Sequence, residues 1–446
     1  VLRELIDYFF QRPAMLSLAT FGGIILVGTL MLSFPAASAS GIRIGALDAL
    51  FTATSAVCVT GLAVVDTKTA FSPFGHVVIL GLIQVGGLGI MTLSTFATLV
   101  LGHRLGLKGE RALDDMLESH GRRSAYRLTI FIVASTLAIE LIGAAILSWR
   151  FVAAGYAWRD ALWQGVFHSV SAFCNAGFAL HSDSLVSFQD DTILLGTIAA
   201  LITLGGLGFV VLSGIGARLF LRRRSPFALQ IRIVLVSSLA LVLVGAVCFS
   251  LFEWYASLDG LATSSKLVNA LFQSITTRTA GFNSVDFTTL TPATVLWMHL
   301  WMFVGASPGG TGGGVKTTTM VVLLASVRAV MRGESRVVLG KRLVPPLIVL
   351  RSVTIIVIAS AAAFVGTLLL LVTEELPFEM LSFEVVSALG TVGLTLGATP
   401  LLGPAAKLCL VVIMLLGRIG PLTTAMLLAR DRKLPIRYPE APLMVG

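Results

Sequence analysis

The sequence predicts an all-α, polytopic membrane protein made of four tandem repeats, each a long helix, a short re-entrant segment and a second long helix. Three observations lead there: a composition too apolar for water, an alternation of long and short hydrophobic stretches, and a glycine-bearing string that returns after every short stretch. Of 446 residues, 56% are hydrophobic and only 12% are charged, against about 25% charged in soluble domains. The mean hydropathy is +0.92. A soluble multidomain enzyme is excluded, and 26 Phe with long aliphatic runs exclude a disordered or nucleic-acid-wrapping chain. The net charge of +9 needs no acidic partner, because the basic residues gather in short clusters between apolar stretches. Cys58, Cys174, Cys248 and Cys409 have neither disulfide nor zinc spacing. No convincing cleavage site follows the first apolar stretch, so no removable signal peptide is expected.

About 20 apolar residues cross a bilayer core. Eight stretches qualify: 14–34, 74–101, 128–149, 192–217, 233–252, 293–327, 352–373 and 404–429. The sixth carries a run of Gly and the eighth carries Arg418. Four others, 46–57, 161–173, 267–277 and 381–389, are too short to cross and fit re-entrant helices. The links 102–127, 218–232, 328–351 and 430–446 hold 21 of the 32 Lys and Arg, which puts them and both termini in the cytoplasm. The opposite links hold Asp183, Asp190, Asp191, Glu374, Glu375 and Glu379. The expected repeats are therefore 1–102, 103–220, 221–332 and 333–430, with a cytoplasmic tail at 431–446.

After each short segment comes a related string: VTGL at 59–62, NAGF at 175–178, TAGF at 279–282 and TVGL at 391–394. Their glycines, at 61, 177, 281 and 393, are 116, 104 and 112 residues apart. The pore loops so defined are 46–62, 161–178, 267–282 and 381–394. Non-helical backbone survives at membrane depth only where protein buries it or it lines water. Four such loops, each returning to the side it came from, can meet on one central pseudo-fourfold axis. There their carbonyl oxygens can replace the hydration shell of a cation, as in potassium filters, and glycine permits the backbone angles that aiming them requires. Thr391-Val392-Gly393 reproduces the start of TVGYG. The candidate filter is Val59, Thr60 and Gly61; Asn175, Ala176 and Gly177; Thr279, Ala280 and Gly281; and Thr391, Val392 and Gly393, with K+ at their carbonyls. The clusters containing Gly86, Gly87, Gly205 and Gly206 are assigned to helix packing. Arg278 is expected behind the third string and paired with an acid, since a lone charge at this depth costs ~2.5–3.5 kcal/mol on insertion scales. Glu140 is expected to face the protein interior.

FVGASPGGTGGGVKTTT at 303–319 is the least helix-like stretch at membrane depth. Pro308 with Gly305, Gly309, Gly310, Gly312, Gly313 and Gly314 breaks the helical ladder. Lying after the third string and midway through the following span, the loop 305–316 falls below the filter in the conduction path. It reads as a gate, as a structural kink, or as the G-x-S-x-G of an intramembrane serine hydrolase using Ser307; the last wants a strand before it and His/Asp partners. A phosphate cradle fails because Val315 stands where Lys should be. Arg418 offers a guanidinium with five donors suited to loop carbonyls and is expected to latch the loop shut, with Lys316 projecting toward the same cavity.

With these strings and this loop, the chain resembles the Trk/Ktr/HKT superfamily of potassium transporters, and within it the bacterial KtrB type of membrane subunit. The resemblance runs over nearly the whole chain: LFTATSAVCVTGLAVVDT at 50–67, LIQVGGLGIMT at 82–92, FHSVSAFCNAGFAL at 167–180, TTRTAGFNSVDF at 276–287, GTVGLTLG at 390–397, GRIGPLT at 417–423 and IRYPE at 436–440. A short lead before the first span favours the Ktr type over the longer Trk type. The resemblance implies a homodimer of four-repeat monomers in the bacterial plasma membrane, each moving potassium inward through its own pore. Gly61, where sodium-passing members have Ser, favours potassium. Cys58 and Cys174, just before two strings, depart from the Thr or Asn expected in some relatives. Regulation is implied to come from a separate KtrA-like cytoplasmic ring binding ATP and ADP and docking on 102–127, 218–232 and 328–351; no cofactor is expected on this chain itself. Sodium dependence is a further family expectation. An obligatorily Na+- or H+-coupled symporter, with Glu140 and Arg418 in active roles, is the alternative.

Overall fold

The computed structural model describes residues 13–101, 121–220 and 227–420. The tail at 431–446, IRYPE and most of the link 102–127 lie outside the described residues. Within them the chain is mostly helical. The stretch expected as the first repeat holds α1 (Pro13–Leu32), α2 (Ala46–Val57) and α3 (Pro73–Leu101). The second holds α4 (Gly121–Ala153), α5 (Trp158–Phe173), α6 (Thr192–Leu207) and α7 (Phe209–Phe220). Next come α8 (Ala228–Glu253), α9 (Thr263–Thr276), α10 (Pro292–Phe303) and α11 (Thr317–Met331). After a small hairpin, β1 (Val338–Leu339) and β2 (Arg342–Leu343), the chain continues as α12 (Pro346–Thr373), α13 (Phe378–Gly390) and α14 (Pro404–Ile419).

Local chemistry sets these boundaries. Asp191 caps α6 by accepting the amides of Ile193 and Leu194 at 3.1 and 3.0 Å, and Thr291 caps α10 by accepting from Thr294 N. Pro292, Pro346 and Pro404 occupy first helical positions, where their missing N–H costs nothing. The four short segments expected as re-entrant are α2, α5, α9 and α13, beginning up to four residues earlier than their apolar runs.

Among the described residues three helices, Thr129–Ala153, Ala228–Glu253 and Pro346–Thr373, are long and apolar enough to cross a membrane. At most 33% of the residues in their most apolar windows are buried; they show most of their surface outward, as a lipid-facing helix does. Two expected spans are broken. The stretch 192–217 bends by 98° between α6 and α7, at Gly208 with φ +89°, a backbone conformation that glycine reaches without steric cost. The stretch 293–327 is two helices, α10 and α11, separated by the non-helical 304–316.

The packing order recurs along the chain. Each leading long helix, α1, α4, α8 and α12, packs against the short helix that follows it and against the next long one. Across these groups α3 meets α5, α6 meets α9, α10 meets α13, and α14 meets α2, which brings the last helix back to the first group. The short helices sit inside. Phe51, Phe167, Phe173, Phe272 and Phe383 on them are among the largest fully buried side chains.

Candidate functional site

The C-terminal ends of α2, α5, α9 and α13 each run into one of the four glycine strings. In every string the backbone takes the same turn. Val59, Asn175, Thr279 and Thr391 have φ of +56, +58, +72 and +50°, and Gly61, Gly177, Gly281 and Gly393 have φ of +93, +70, +82 and +92°. Three of those four non-glycine residues are β-branched, for which this region costs on the order of 1–3 kcal/mol. What holds them there is local. Thr60 N donates to Ser55 O (2.8 Å), Ala176 N to Ser171 O (2.7 Å), Ala280 N to Thr276 O (3.0 Å) and Val392 N to Ser387 O (2.8 Å). The hydroxyls of the same four residues add a second tie. Ser55 and Ser387 accept the amides of Gly61 and Gly393, both at 3.0 Å. Ser171 and Thr276 donate to the carbonyls of Phe178 (2.8 Å) and Phe282 (2.6 Å).

The strings meet one another at their glycines. A Cβ placed on Gly61 would stand 2.5 Å from Ala176 O, one on Gly177 2.8 Å from Ala280 O, and one on Gly281 2.5 Å from Val392 O. One on Gly393 would overlap Thr60 O. The four glycines thus face the next string in cyclic order, 61 to 177 to 281 to 393 and back to 61, with no room for a side chain at any of them. The negative ends of four short-helix dipoles point into this assembly, and four sets of main-chain carbonyls border it.

Further along, polar side chains on three short helices hold the outgoing strands. His168 Nε2 accepts from Leu180 N at 3.3 Å, Gln273 Nε2 donates to Ser284 Oγ at 3.2 Å, and the Glu384 carboxylate accepts from Thr395 Oγ1 and from Thr399 Oγ1, the latter at 2.7 Å. Sequence reasoning missed these three. Their signal was present, a polar residue three positions before Ser171, Thr276 and Ser387 in otherwise apolar runs. His168 also stacks on His181, ring centroids 5.3 Å apart. His181 lies in the loop after the second string, where burial, and secondarily Lys68, hold its pKa below the ordinary histidine value against the opposite pull of Asp183.

The glycine loop presses against the strings. A Cβ on Gly312 would overlap the Thr279 hydroxyl, and Gly313 N donates to Thr391 Oγ1 at 3.0 Å. Besides bonds within itself, such as Gly305 N to Val315 O at 2.8 Å, the loop bonds to distant backbone: Ser307 N to Gly206 O and Thr311 N to Gly205 O, both 3.1 Å, Thr311 Oγ1 to Phe173 O at 3.1 Å, and Phe209 N back to Gly309 O at 3.1 Å. Lys316 folds onto its own loop, donating to Gly312 O at 2.8 Å. Arg418, buried in α14, donates through one terminal nitrogen to Thr311 O and through the other to Gly86 O. It bridges loop and α3.

Gly86 and Gly205 lie where a Cβ would overlap the carbonyls of Val57 and Phe173, which agrees with a packing role. Gly206 and Gly86 additionally supply carbonyls to the loop and to its arginine. Glu140 is buried as expected; Gln84 Nε2 donates to it at 3.3 Å, and the Cys174 thiol lies 3.9 Å away. The hydroxyl of Ser307 pairs with Thr317 Oγ1 at 3.1 Å rather than with a His or an acid. One expectation needs correction. Arg278 has no acid partner among the described residues, and its Nε is buried without a hydrogen-bond acceptor. The buried carboxylates among the described residues have other partners: Glu140 accepts from Gln84, Glu253 from the amides of Ser257 and Thr291 and the hydroxyls of Thr291 and Thr294, and Glu384 from Thr395 and Thr399.

The fold is thus a helical one with membrane-type helices, in which four short buried helices end where the main-chain carbonyls of four strings come together. The chain belongs to the TrkH cation transport protein family, which matches it over residues 24–435. It is 38% identical to the Ktr system potassium uptake protein B of Bacillus subtilis (strain 168) over 98% of this chain and 97% of that protein. To the protein of the same name from Vibrio alginolyticus it is 40% identical, over 96% and 94%. The crystal structure of the potassium transporter TrkH from Vibrio parahaemolyticus superposes with a TM-score of 0.70 at 21% identity, covering 92% of this chain and 84% of that one, a likeness of fold.

Proposed function

We propose that the chain is the potassium-translocating membrane subunit of a Ktr-type uptake system. Its four repeats, 1–102, 103–220, 221–332 and 333–430, supply eight membrane spans around one pore, and the strings ending at Gly61, Gly177, Gly281 and Gly393 form its selectivity filter. The observation that carries this is the cyclic approach of those four glycines, each with the next string's backbone where a side chain would go. Such an assembly offers rings of carbonyl oxygens in place of water, held open by strained but locally pinned turns. Potassium is the substrate, and no resident cofactor takes part.

The loop 305–316 is the gate. Gly312 and Gly313 stand against Thr279 and Thr391 of the filter, so a loop in this position blocks the exit from the strings. Arg418 latches it, joining Thr311 to Gly86, and Lys316 adds a positive charge at the obstruction. In the working state two such chains pair in the bacterial plasma membrane with both termini in the cytoplasm, and a nucleotide-binding ring on 102–127, 218–232 and 328–351 withdraws the loop. The names of the Ktr relatives and the basic character of those links support this.

The test is uptake of potassium and of sodium by purified protein in liposomes, with and without a ring of nucleotide-binding subunits. Selective potassium uptake whose reversal potential follows potassium alone is the expected result. A reversal potential that moves with an imposed sodium or proton gradient would replace this reading with coupled symport.

A further inference from the structure

We propose that Arg278 holds a small monovalent anion, of chloride size, in a crevice behind the glycine loop. The crevice, with room for an occupant of about water size, is walled by Ile202 and Gly206 on α6, Ser238 and Val242 on α8, Arg278 after α9, and Ala306 of the loop. A guanidinium carries five donors and keeps its proton. At Arg278 the Nε is buried without an acceptor, and no carboxylate reaches the group among the described residues. The residue as a whole is half-buried, a place where a charge is favoured by a counter-ion, and the other charges beside the loop, Lys316 and Arg418, are positive too. Among the described residues no acidic side chain lines the crevice.

The walls restrict the occupant. Apart from Arg278 the polar lining is Thr203, whose hydroxyl is spent on Ala199 O at 2.8 Å, and Ser238, which is buried on α8 and can donate. A guanidinium and one hydroxyl among aliphatic side chains, in so small a space, suit a compact singly charged anion; a phosphate is too large for it. An anion in this place touches both Ala306 and Gly206, and Gly206 O already accepts Ser307 N. It steadies the entry to the loop from behind, as Arg418 steadies the middle from the opposite side.

The site is tested by binding, with no reference to transport. Crystals of the purified protein grown in sodium bromide should show an anomalous peak within about 3.5 Å of the Arg278 guanidinium, a distance set by charge-assisted contact. Ordered water there without anomalous signal, or a carboxylate of this chain or a neighbouring copy seated on Arg278, overturns the proposal. In parallel, thermal melting at constant potassium and ionic strength should shift upward when gluconate is replaced by chloride. Ser238→Ala should reduce that shift and Arg278→Gln should abolish it. An equal shift in wild type and Ser238→Ala overturns the assignment of the crevice, and does so even if Arg278→Gln fails to fold.

Discussion

The strings and the glycine loop are both non-helical and carry glycines at close contacts, yet they are held in different ways. Each string is pinned by hydrogen bonds to a residue four or five positions back on its own short helix, Thr60 to Ser55 or Val392 to Ser387. The loop has bonds within itself as well, but it is also tied to partners far away in the chain: Phe173, Gly205, Gly206, Thr391 and Arg418. A locally pinned turn persists as long as its helix does. A loop tied across helices is released when those helices shift by a fraction of their contact distance. On the function proposed above, the locally pinned turns are where ions would be discriminated, and the loop is where flow would be controlled.

Gly393→Ala tests the rigid half hardest, because its Cβ would overlap the Thr60 carbonyl and its φ of +92° strains any L side chain. Potassium uptake in liposomes should fall at least tenfold at unchanged expression; wild-type uptake would refute the cyclic contact. On the releasable half, deleting 309–313 should raise partner-free potassium flux severalfold, and Arg418→Gln should do the same to a smaller extent. Flux that stays low and partner-dependent in both would mean that the loop is no obstruction. Gly61→Ser sharpens the comparison further. The side chain would stand against Ala176 O, so the potassium-to-sodium uptake ratio should drop severalfold while total flux changes less.

The smallest effect concerns the loop that follows the second string. His181 is held neutral in the folded protein below its ordinary pKa by burial and by Lys68. The unfolded chain therefore binds the additional proton first, and stability is lost as pH falls through the ordinary histidine range near 6.5. His181→Phe, which keeps a ring against His168 and Phe188, should flatten the acid side of the stability curve by on the order of 2 °C in Tm between pH 7 and 5.5. An unaltered slope would mean that this histidine does not report on the strand it faces.

Much of this was legible in the chain. The segments at 46–57, 161–173, 267–277 and 381–389 were readable as re-entrant because an apolar run of that length cannot cross a bilayer, and each of them is a buried short helix. The break in the sixth span was readable from Pro308 and its glycines. The bend at Gly208 was not: LGGLG read as helix packing, and only the close approach of Pro308 and Gly309 to Gly208 sets the 98° turn apart from that role. Nor does any propensity mark Val59, Thr279 or Thr391 for positive φ, since β-branched residues avoid it when isolated. His168, Gln273 and Glu384 had a signal that emerges only when the four short helices are aligned with one another. The acid expected for Arg278 rested on the general cost of buried charge, which demands a partner without naming one.

Sequence alone determined that this is a membrane chain with four short segments between longer apolar ones and four glycine strings, because composition, run length and recurrence are properties of neighbouring residues. The tertiary structure alone decided which string faces which, that Arg418 joins Thr311 to Gly86, and that Arg278 stands without a carboxylate. Those outcomes depend on groups 100 to 330 residues apart meeting in space, and close packing of helices, unlike periodicity, leaves no local imprint on the residues it brings together.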